Sequence, residues 1–574
     1  MLKTQMSPSK KLRVLVHSNH SRLVTGFGKN AKNILLALHE DPDIEVIEAG
    51  NGAKAGADLL TPWESYGTHP SNPNILQQIQ GDGPKERMAQ YGFYTIDEIV
   101  EKCNPDVYLG IEDIWAFSEY EKKPWWNNIN KVIWTTLDSL PILDQAIHME
   151  PLCDKMLVWA SFAEEDMKRL GHKNVETIHG AVDYTNFYPL ENRNDIRKKF
   201  GIDDCFVIGF VFKNQLRKSV PNLLQGFKIF KKQNPDVKAK LLLHTDWGEV
   251  GQGWDIPKYI NEMGIDPKDV LSTYVCHNCD FYFVSHYQGE DKNCPRCKAE
   301  KTFKTKNSNK GIGEIELNEL YNSMDVYCHP FTSGGQELPI QEAKSVGLIT
   351  LVTEYSCGTD CCYEHQGGIP LKWNEYREPH TQFIKASTCP EDIADKLKLV
   401  HEMDDIERFS LSAKSIKYVK ENYSVKKITH KLKKCLLSLG EPKKQKTEEK
   451  PDQNIVDIND VLDDEGAENR IAVVMPESAG DILILNSLMH NLKTLYPDKN
   501  IYVFTKPEFY QMIDDNSSVH KLLPYQPSLE NLLFLEGRGN HKGYFDMAFL
   551  PNIGTQRHLN YLHNGKDKTQ FELR

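Results

Sequence analysis

Long apolar runs are missing from this sequence. No stretch approaches the roughly 20 consecutive apolar residues that a membrane-spanning helix needs, so we expect no membrane span. The first residues, MLKTQMSPSKKLRVLVHSN, are basic and pass directly into a strand-like segment, without the apolar core and cleavage site of a secretory signal. These absences together predict a cytoplasmic protein.

An excess of positive charge is also missing. The chain has 69 Lys and Arg against 81 Asp and Glu, a formal net charge of −12. This balance argues against a general binder of nucleic acids or membrane surfaces, although it allows a local basic groove. With 40% hydrophobic and 26% charged residues, the composition is that of an ordinary globular protein. A chain of 574 residues exceeds one hydrophobic core, so several domains are expected.

The thirteen cysteines lack the pattern of a disulfide framework, and their odd number favours reduced thiols. Four of them, Cys276, Cys279, Cys294 and Cys297, form two C-x-x-C pairs. Each pair places two thiolates on one turn, and two such turns complete a tetrahedron around zinc. Because the protein would fill all four positions, the zinc is predicted to be structural. We expect a zinc-ribbon insert over residues 273–305 that stands out from its domain.

Short apolar segments alternate with helical patterns along most of the chain, which predicts parallel sheets covered on both faces. The alternation restarts twice, near residues 205 and 470. The intervening EPKKQKTEEKPDQNIVDINDVLDDEGAEN is too polar to order itself and is predicted to be a flexible linker. The sequence therefore predicts an α/β protein with these domains: a Rossmann-like domain over 1–190, a second over 191–440, the linker over 441–469 and an accessory Rossmann-like half domain over 470–574.

Residues 175–189, VETIHGAVDYTNFYP, resemble the inter-domain segment of family 4 glycosyltransferases. In that family an Ile-Pro-Asn-Gly-Val-Asp run precedes Phe-x-Pro. The resemblance implies the GT-B fold, in which two Rossmann-like domains enclose the active site in the cleft between them. The first domain would then lie on the acceptor side, and the second would bind the nucleotide-sugar donor.

Two lysines follow the first strand of the second domain, in FKNQLRK. The family usually has Arg and, five residues later, Lys, and both hold the donor diphosphate. Lys213 and Lys218 occupy these positions, so the resemblance assigns them to donor binding. Lys213 departs from the family pattern but keeps the charge, and cations at a strand end suit a pyrophosphate leaving group.

The segment SGGQELPIQEA resembles the loop and helix start that carry two glutamates in the family. Glu342 matches the second glutamate, which implies contact with the nucleotide ribose. Gly334 stands where the first glutamate should be. Either Glu337, three residues later, supplies the missing carboxylate, or backbone amides around Gly334 and Gly335 bind the sugar. We therefore expect both glutamates in the catalytic site and both glycines in donor binding.

Four further positions correspond in order to positions of the family. Gly26 and Gly28 correspond to its glycine loop near the donor phosphates, and Gly358 is what remains of a glycine pair that donates backbone amides to phosphate. Asp138 stands where the family often has an active-site histidine, so the resemblance implies a catalytic role. A plain turn or capping role for Asp138 is equally consistent with the sequence.

The end of the second domain, KENYSVKKI, resembles the closing helix of the family, which crosses back to the first domain. Ser424 is its expected N-cap. The last unit opens with IAVVMPESAGDI, which resembles the start of heptosyltransferase-type (family 9) proteins. Only one Rossmann half follows, so an accessory role is expected. Asp481 in this segment is either an acceptor-site base or a helix cap.

Together the resemblances imply a glycosyltransferase that moves a sugar from a nucleotide-sugar donor to an acceptor hydroxyl, with retention of configuration. The acceptor is a saccharide, lipid, protein or modified base, and the acidic net charge ranks nucleic acid below the others. No catalytic divalent metal is expected, because lysines and helix dipoles neutralise the leaving group. Two alternatives stay open: a non-catalytic scaffold that binds nucleotide-sugar or a partner, and a GT-B nucleotide-sugar epimerase. The sequence identifies neither sugar nor nucleotide, and it leaves the oligomeric state open.

Overall fold

A computed structural model describes residues 11–23, 25–57, 59–307, 310–440, 458–476, 478–525, 543–551, 558–564 and 567–573. Within these residues the helices are α1 Gly26–His39, α2 Pro73–Ile79, α3 Gly83–Gln90, α4 Ile96–Cys103, α5 Asp144–Met149, α6 Ser161–Arg169, α7 Arg193–Phe200, α8 Val220–Gln233, α9 Ile256–Glu262, α10 Glu314–Asn322, α11 Leu338–Ser345, α12 Pro390–Glu402, α13 Asp405–Asn422, α14 Val425–Leu437, α15 Ile458–Val461 and α16 Ala479–Leu495.

The strands of the same residues are β1 Leu12–Asn19, β2 Ile44–Lys54, β3 Glu64–His69, β4 Val107–Ile111, β5 Asn130–Thr135, β6 Lys155–Val158, β7 Val175–Thr177, β8 Phe206–Val211, β9 Ala239–His244, β10 Val270–Cys276, β11 Tyr282–His286, β12 Phe303–Thr305, β13 Val326–His329, β14 Ile349–Thr353, β15 Gly368–Leu371, β16 Trp373–Arg377, β17 Ile384–Thr388, β18 Arg470–Val474, β19 Asn500–Thr505, β20 Lys521–Pro524, β21 Met547–Phe549, β22 His558–Asn564 and β23 Asp567–Leu573. None of the helices in this part of the chain is long and apolar enough to cross a membrane.

The chain divides into two compact units, residues 1–45 with 100–443 and residues 46–99 with 444–574. Residues 46–99, which the sequence predicted to lie in the first domain, thus group with the C-terminal residues. The predicted linker, 441–469, falls partly outside the described residues. Its described part holds α15 and a 3-10 turn at Ala467–Asn469.

The first unit contains two parallel sheets. In one of them β1, β4, β5, β6 and β7 lie side by side in that order and run parallel. Strands such as β4 and β5 are buried along their whole length, because helices cover both faces of the sheet. The carboxyl ends of these strands therefore meet at one edge, and Asp138 follows directly after β5.

The second sheet of this unit follows the order β11-β10-β9-β8-β13-β14-β15, and β10 to β15 on this path run parallel. Its core is one cluster of buried side chains that includes Phe210, Leu242, Tyr327 and Leu351. The segments that the sequence assigned to donor binding in this domain follow the strand ends of β8, β13 and β14. The fold thus brings those segments to one edge of the sheet.

The cysteine-containing insert does not stand out from the second sheet, which corrects the sequence expectation. Its strands β11 and β12 pair antiparallel with β10, which itself pairs with β9. Cys276 is the last residue of β10 and lies opposite Phe303 of β12. The insert is therefore an extension of the second sheet.

The closing helix α14 returns to the first sheet's side, as the resemblance implied. Lys433 of α14 lies 2.8 Å from both Asp41 and Asp43, which follow α1. Ser424 is the residue before α14, but its side chain makes no capping hydrogen bond. Instead its backbone pairs with Val182.

In the second unit β20, β19, β18 and β21 are parallel neighbours, and β22 and β23 add an antiparallel hairpin. Leu60 packs here in one buried cluster with Ile458 and Tyr502. Asp481 forms a capping box with Ser478 at the start of α16, and Ser478 donates its N–H to Asp481 at 3.1 Å. The helix-cap interpretation of Asp481 accounts for these contacts.

Candidate active-site cleft and metal cluster

A buried ionic cluster lies where the second sheet ends. Glu337, the residue before α11, is 4% exposed and accepts hydrogen bonds from both Arg217 and Lys218. These two cations belong to the 3-10 turn Leu216–Lys218 that follows β8. His329, the last residue of β13, places Nε2 at 3.4 Å from Glu337 Oε2. Residues that follow β8 therefore converge with the end of β13 on one carboxylate.

The charges of this cluster are strongly coupled. Burial alone would raise the pKa of Glu337, but Arg217 and Lys218 hold it well below its usual range. Burial, and then the charge of Arg217, lowers the pKa of Lys218 to about 8. Burial lowers the pKa of His329 to about 4, so its imidazole is neutral at pH 7. The cluster thus holds one carboxylate between two cations.

Gly334 lies directly beside this carboxylate. A Cβ added at Gly334 would be 2.8 Å from Glu337 Oε1 and 3.2 Å from Arg217 Nη1. The space next to the position where the family has its first glutamate is therefore occupied by the carboxylate of Glu337. Of the two explanations offered for the altered loop, this geometry favours the one in which Glu337 supplies the carboxylate.

The first sheet contributes residues to the same place. A Cβ on Gly335 would lie 2.5 Å from Thr136 Cβ and 2.9 Å from Asp138 Oδ1, so the two segments approach closely and a side chain at 335 would not fit. Lys385 of β17 is buried and donates to Ser139 Oγ at 2.9 Å and to Ser333 Oγ at 2.7 Å. These contacts join the residues after β5 to the loop that precedes α11.

A second link between the two sheets involves Gln336 and the segment after β7. The N–H of Gly180 donates to Gln336 Oε1 at 2.6 Å, and Gln336 Nε2 donates to the carbonyl of Gly180 at 3.1 Å. The side chain of Gln336 therefore binds the backbone of Gly180 through both of its polar atoms.

Glu342 occupies a separate part of the cleft. Its Oε1 lies 3.1 Å from Lys29 Nζ, and its Oε2 accepts from the Tyr321 hydroxyl at 2.7 Å. Lys29 lies in the first turn of α1. Burial lowers its pKa, but the charge and hydrogen bond of Glu342, together with the charge of Glu314, outweigh burial and raise it. The predicted ribose-binding carboxylate thus faces the start of a helix from the other domain.

The predicted glycines and Lys213 occupy different environments. Gly26 is exposed and faces Leu338 across the cleft, with 3.9 Å between its added Cβ and Leu338 Cδ1. Gly28 lies against the backbone carbonyls of Leu23 and His20, so no side chain fits there. The N–H of Gly358 donates to the Tyr355 carbonyl at 2.9 Å, and this hydrogen bond occupies the amide assigned to phosphate. Lys213 is exposed just beyond β8.

Three further cations of the cleft, Arg217, Lys385 and Lys29, were not predicted from the sequence. Arg217 stands next to Lys218 in the segment FKNQLRK, where the number of cations in the turn is a signal for it. Lys385 is 246 residues from Ser139 along the chain, and only the tertiary fold joins them.

Cys276, Cys279, Cys294 and Cys297 form the cluster that their spacing predicted. Their sulfur atoms all lie within 4.8 Å of one another, and the pairs Cys276–Cys297 and Cys279–Cys294 are each 3.7 Å apart. Four sulfurs at about 2.3 Å from a tetrahedral zinc would be about 3.8 Å apart. Backbone N–H groups of Asn278 and Cys297 also point at sulfur. The four thiols therefore fit a tetrahedral ion.

Comparisons with known proteins concern the fold. No protein-family model matches the chain, and no curated protein matches it significantly. Three solved structures align with about three quarters of it. Anabaena Alr3699/HepE in complex with UDP-glucose has a TM-score of 0.51 and 12% identity, over 74% of this chain and 100% of that one. Sucrose-phosphate synthase (tll1590) from Thermosynechococcus elongatus has a TM-score of 0.51 and 12% identity, over 75% and 99%. A glycosyltransferase from Rickettsia africae ESF-5 has a TM-score of 0.50 and 12% identity, over 75% and 98%.

These similarities and the sheet topology define the class of protein: the chain is an α/β protein with the GT-B fold. The predicted fold class is confirmed. Membership of family 4 and the roles of individual site residues stay predictions.

Proposed function

We propose that the chain is a nucleotide-sugar-dependent glycosyltransferase that transfers a sugar to an acceptor hydroxyl. The observation that carries the proposal is the buried cluster of Glu337, Arg217 and Lys218 at the carboxyl edge of the second sheet. Ligands of open α/β sheets bind outside the carboxyl ends of the strands. A site of this charge pattern suits an anionic leaving group next to a sugar.

The donor would lie along the edge from Glu342 to Glu337. The carboxylate of Glu342 is suited to accept hydrogen bonds from ribose hydroxyls, while Arg217, Lys218 and Lys213 neutralise the diphosphate. The start of α1 adds its partial positive charge on the same side. The structurally similar HepE is described in complex with UDP-glucose, so we take a uridine nucleotide as the first donor to test.

We propose that the transfer retains configuration, as the family resemblance implies. As the bond from the sugar to the diphosphate breaks, the cations stabilise charge on the departing phosphate. The acceptor hydroxyl attacks from the same face and passes its proton to that phosphate. Glu337 then lies on the sugar side of the cations, beside Gly334, and Asp138 approaches from the acceptor side. In this scheme both carboxylates orient the sugar and stabilise positive charge on it, and no divalent metal takes part.

The four-cysteine cluster is proposed to hold one structural zinc ion. Soft thiolates in a tetrahedron select zinc, and a site closed by four protein ligands leaves no position for substrate. Its function is then to stabilise the insert on β10.

A donor-hydrolysis and sugar-transfer assay tests the proposal. The zinc-loaded protein is incubated with a panel of nucleotide sugars, with and without candidate acceptors, beside Lys218→Ala. We expect turnover of one donor by the wild type and a loss of roughly 100-fold or more in the variant, as for other groups that stabilise transition-state charge.

Other outcomes distinguish the alternatives. Conversion of the donor to an isomer without an acceptor would identify an epimerase. Binding of a nucleotide sugar without any turnover would identify a scaffold. A folded, zinc-loaded sample that neither binds nor turns over any nucleotide sugar contradicts the proposal.

A further inference from the structure

The last strand of the cysteine-containing insert ends beside the cleft. This strand, β12, ends at Thr305, and Lys306 follows. Thr305 is buried, and its hydroxyl donates to Glu290 Oε1 at 2.6 Å, while its N–H donates to Glu290 Oε2 at 2.9 Å. The N–H of Trp247 donates to Thr305 Oγ1 at 3.2 Å. The insert and the loop after β9 therefore hold the backbone at Lys306 from two sides.

That loop begins at the donor edge of the second sheet. His244 is the last residue of β9, and its carbonyl accepts from Phe212 N–H at 3.1 Å. Lys213 is the next residue after Phe212. Trp247 follows β9 and is hydrogen-bonded to Thr305, the residue before Lys306. Lys306 is thus connected to the end of β9, which is hydrogen-bonded to the residue before Lys213.

The charges that act on Lys306 are those of the donor cleft. Burial and then the positive charge of Lys29 lower the pKa of Lys306, Lys213 adds to this, and Glu342 and Asp246 oppose it. Lys29 is already paired with Glu342. Among the described residues, neither Lys213 nor Lys306 forms an ion pair. Two cations at this edge are therefore not paired with a carboxylate of the described residues, although Asp246 and Glu290 lie nearby.

Two polar atoms beside these lysines also lack partners. His244 Nδ1 and Thr245 Oγ1 are buried, and neither has a hydrogen-bond partner within the described part of the chain. Both residues are at least 97% buried. Buried polar atoms are normally satisfied, so an unsatisfied pair next to two cations without ion pairs favours an anionic ligand at this strand end.

We propose that the metal-binding insert supplies Lys306 as a ligand for the diphosphate of a nucleoside diphosphate, and that the metal ion holds this lysine in place. The inference rests on the proposed donor site. It gives the insert a part in substrate binding, in addition to its own stability.

The connection from metal to lysine is short. Cys276 lies opposite Phe303 in the β10–β12 pairing. Phe303 is three residues before Lys306 in the sequence. The buried apolar cluster of the insert is small and consists of Tyr274, Phe303 and two of the cysteines. A core of this size depends on its metal for folding. Without the ion, β12 loses its partner and Lys306 loses its position.

Isothermal titration calorimetry with UDP and with inorganic pyrophosphate tests the inference on the full zinc-loaded chain. Lys306→Gln should weaken both ligands about tenfold, the effect of losing one charge-assisted hydrogen bond. Lys304→Gln is the matched control, since Lys304 lies two residues earlier and pairs with Asp291 at 2.6 Å. It should bind both ligands like the wild type. Both variants should keep the wild-type zinc content and melting temperature.

The double variant Cys294→Ser, Cys297→Ser tests the role of the metal. It should weaken pyrophosphate at least as much as Lys306→Gln does, and hydrogen exchange at residues 303–306 should rise while that of β8 and β9 stays low. Wild-type affinity in Lys306→Gln overturns the assignment of Lys306, and wild-type affinity in the metal-free double variant overturns the coupling.

The two probes separate this inference from the proposed function. If the wild type binds pyrophosphate in a Lys306-dependent way but no nucleotide, the anion site stands and the glycosyltransferase proposal fails. If UDP binds but Lys306→Gln changes nothing, the proposed function stands and this inference fails. If the wild type binds neither probe, both are overturned.

Discussion

Glu337 and Lys218 form a buried ion pair that joins the start of α11 to the turn after β8. Both side chains are 4% exposed. A buried pair of this kind costs free energy to desolvate, and breaking it leaves the remaining charge uncompensated. The pair therefore makes the stability of the second domain and the charge of the cleft depend on the same carboxylate.

Replacing Glu337 with Gln should destabilise the protein and reduce transfer. Loss of the carboxylate leaves Arg217 and Lys218 without compensation, which typically costs about 3–5 kcal/mol. Chemical denaturation measures the change, and Glu375→Gln, at an exposed position of β16, is the control with little expected effect. A Glu337→Gln protein with wild-type stability and activity would show that the pair has no such role.

A glutamate at position 334 should restore part of the activity that Glu337→Gln loses. A Cβ on Gly334 would lie 2.8 Å from Glu337 Oε1 and 3.2 Å from Arg217 Nη1, so the side chain at 337 must move aside, and a glutamate at 334 then reaches the same cations. The measurement compares transfer rates of Glu337→Gln with and without Gly334→Glu. If the double variant folds and stays as slow as the single one, Glu337 does not replace the missing glutamate.

Affinity for UDP should fall as the pH rises above about 8. The pKa of Lys218 is lowered to about 8 by burial and by Arg217, so its ammonium loses its proton there. Nearby Glu337 and Cys357 keep their charge states, because their pKa values lie well below and well above this range. Titrations between pH 6.5 and 9.5 measure the decline, and Lys218→Arg, which stays charged, should abolish it. An identical decline in that variant would assign the titration to another group.

The lowered pKa of Lys218 also predicts how the stability of the folded protein changes with pH. The unfolded chain holds the Lys218 proton up to about pH 10.4, whereas the folded chain releases it near 8. Between these values the unfolded state binds more protons, so this group's contribution to stability increases with pH. Below pH 8 Lys218 contributes a constant cost to the folded state.

Glu342→Gln should weaken UDP about tenfold relative to pyrophosphate, since the proposed contact is to ribose hydroxyls and the loss of the Glu342 charge acts on both ligands. Comparing the affinities of the wild type and the variant for UDP and for 2′,3′-dideoxy-UDP isolates that contact. Wild type should prefer UDP over the dideoxy compound, and Glu342→Gln should discriminate less. Equal discrimination by the two proteins would remove Glu342 from the ribose site.

Metal analysis of the purified chain should find one zinc per molecule. Cys294→Ser should lose it, because three thiolates no longer close the tetrahedron. Cys389→Ser, which changes a cysteine outside the cluster, should keep it. Zinc loss in both variants, or zinc retained in both, would contradict the assignment to these four thiols.

The sequence predicted those parts of the fold in which burial leaves a local pattern. Strand β14 was predicted at 349–353 and has those bounds, because a parallel strand buried on both faces is a continuous apolar run. Strand β3, ESYGTH, is polar and contains glycine, so no such pattern marked it. The insert was predicted from its cysteine spacing, but its pairing with β10 is a tertiary contact and was missed.

The same limit applies to the cleft. Motif order placed Lys218 and Glu342 near a donor site, because both follow strand ends of one sheet. The position of Glu337 beside Gly334 depends on how the loop folds back on the turn after β8, and spacing alone offered two explanations. Lys385 reaches Ser139 from a distant hairpin, which no local pattern marks.

The two hydrogen bonds between Gln336 and Gly180 have a mechanical consequence. Gln336 stands next to Gly335 and Glu337 in the loop that borders the ionic cluster, and Gly180 belongs to the crossover from one domain to the other. Any rotation that separates the two sheets must either break both hydrogen bonds or move this loop as well. Opening and closing of the cleft are therefore coupled to the conformation of the loop beside the sugar.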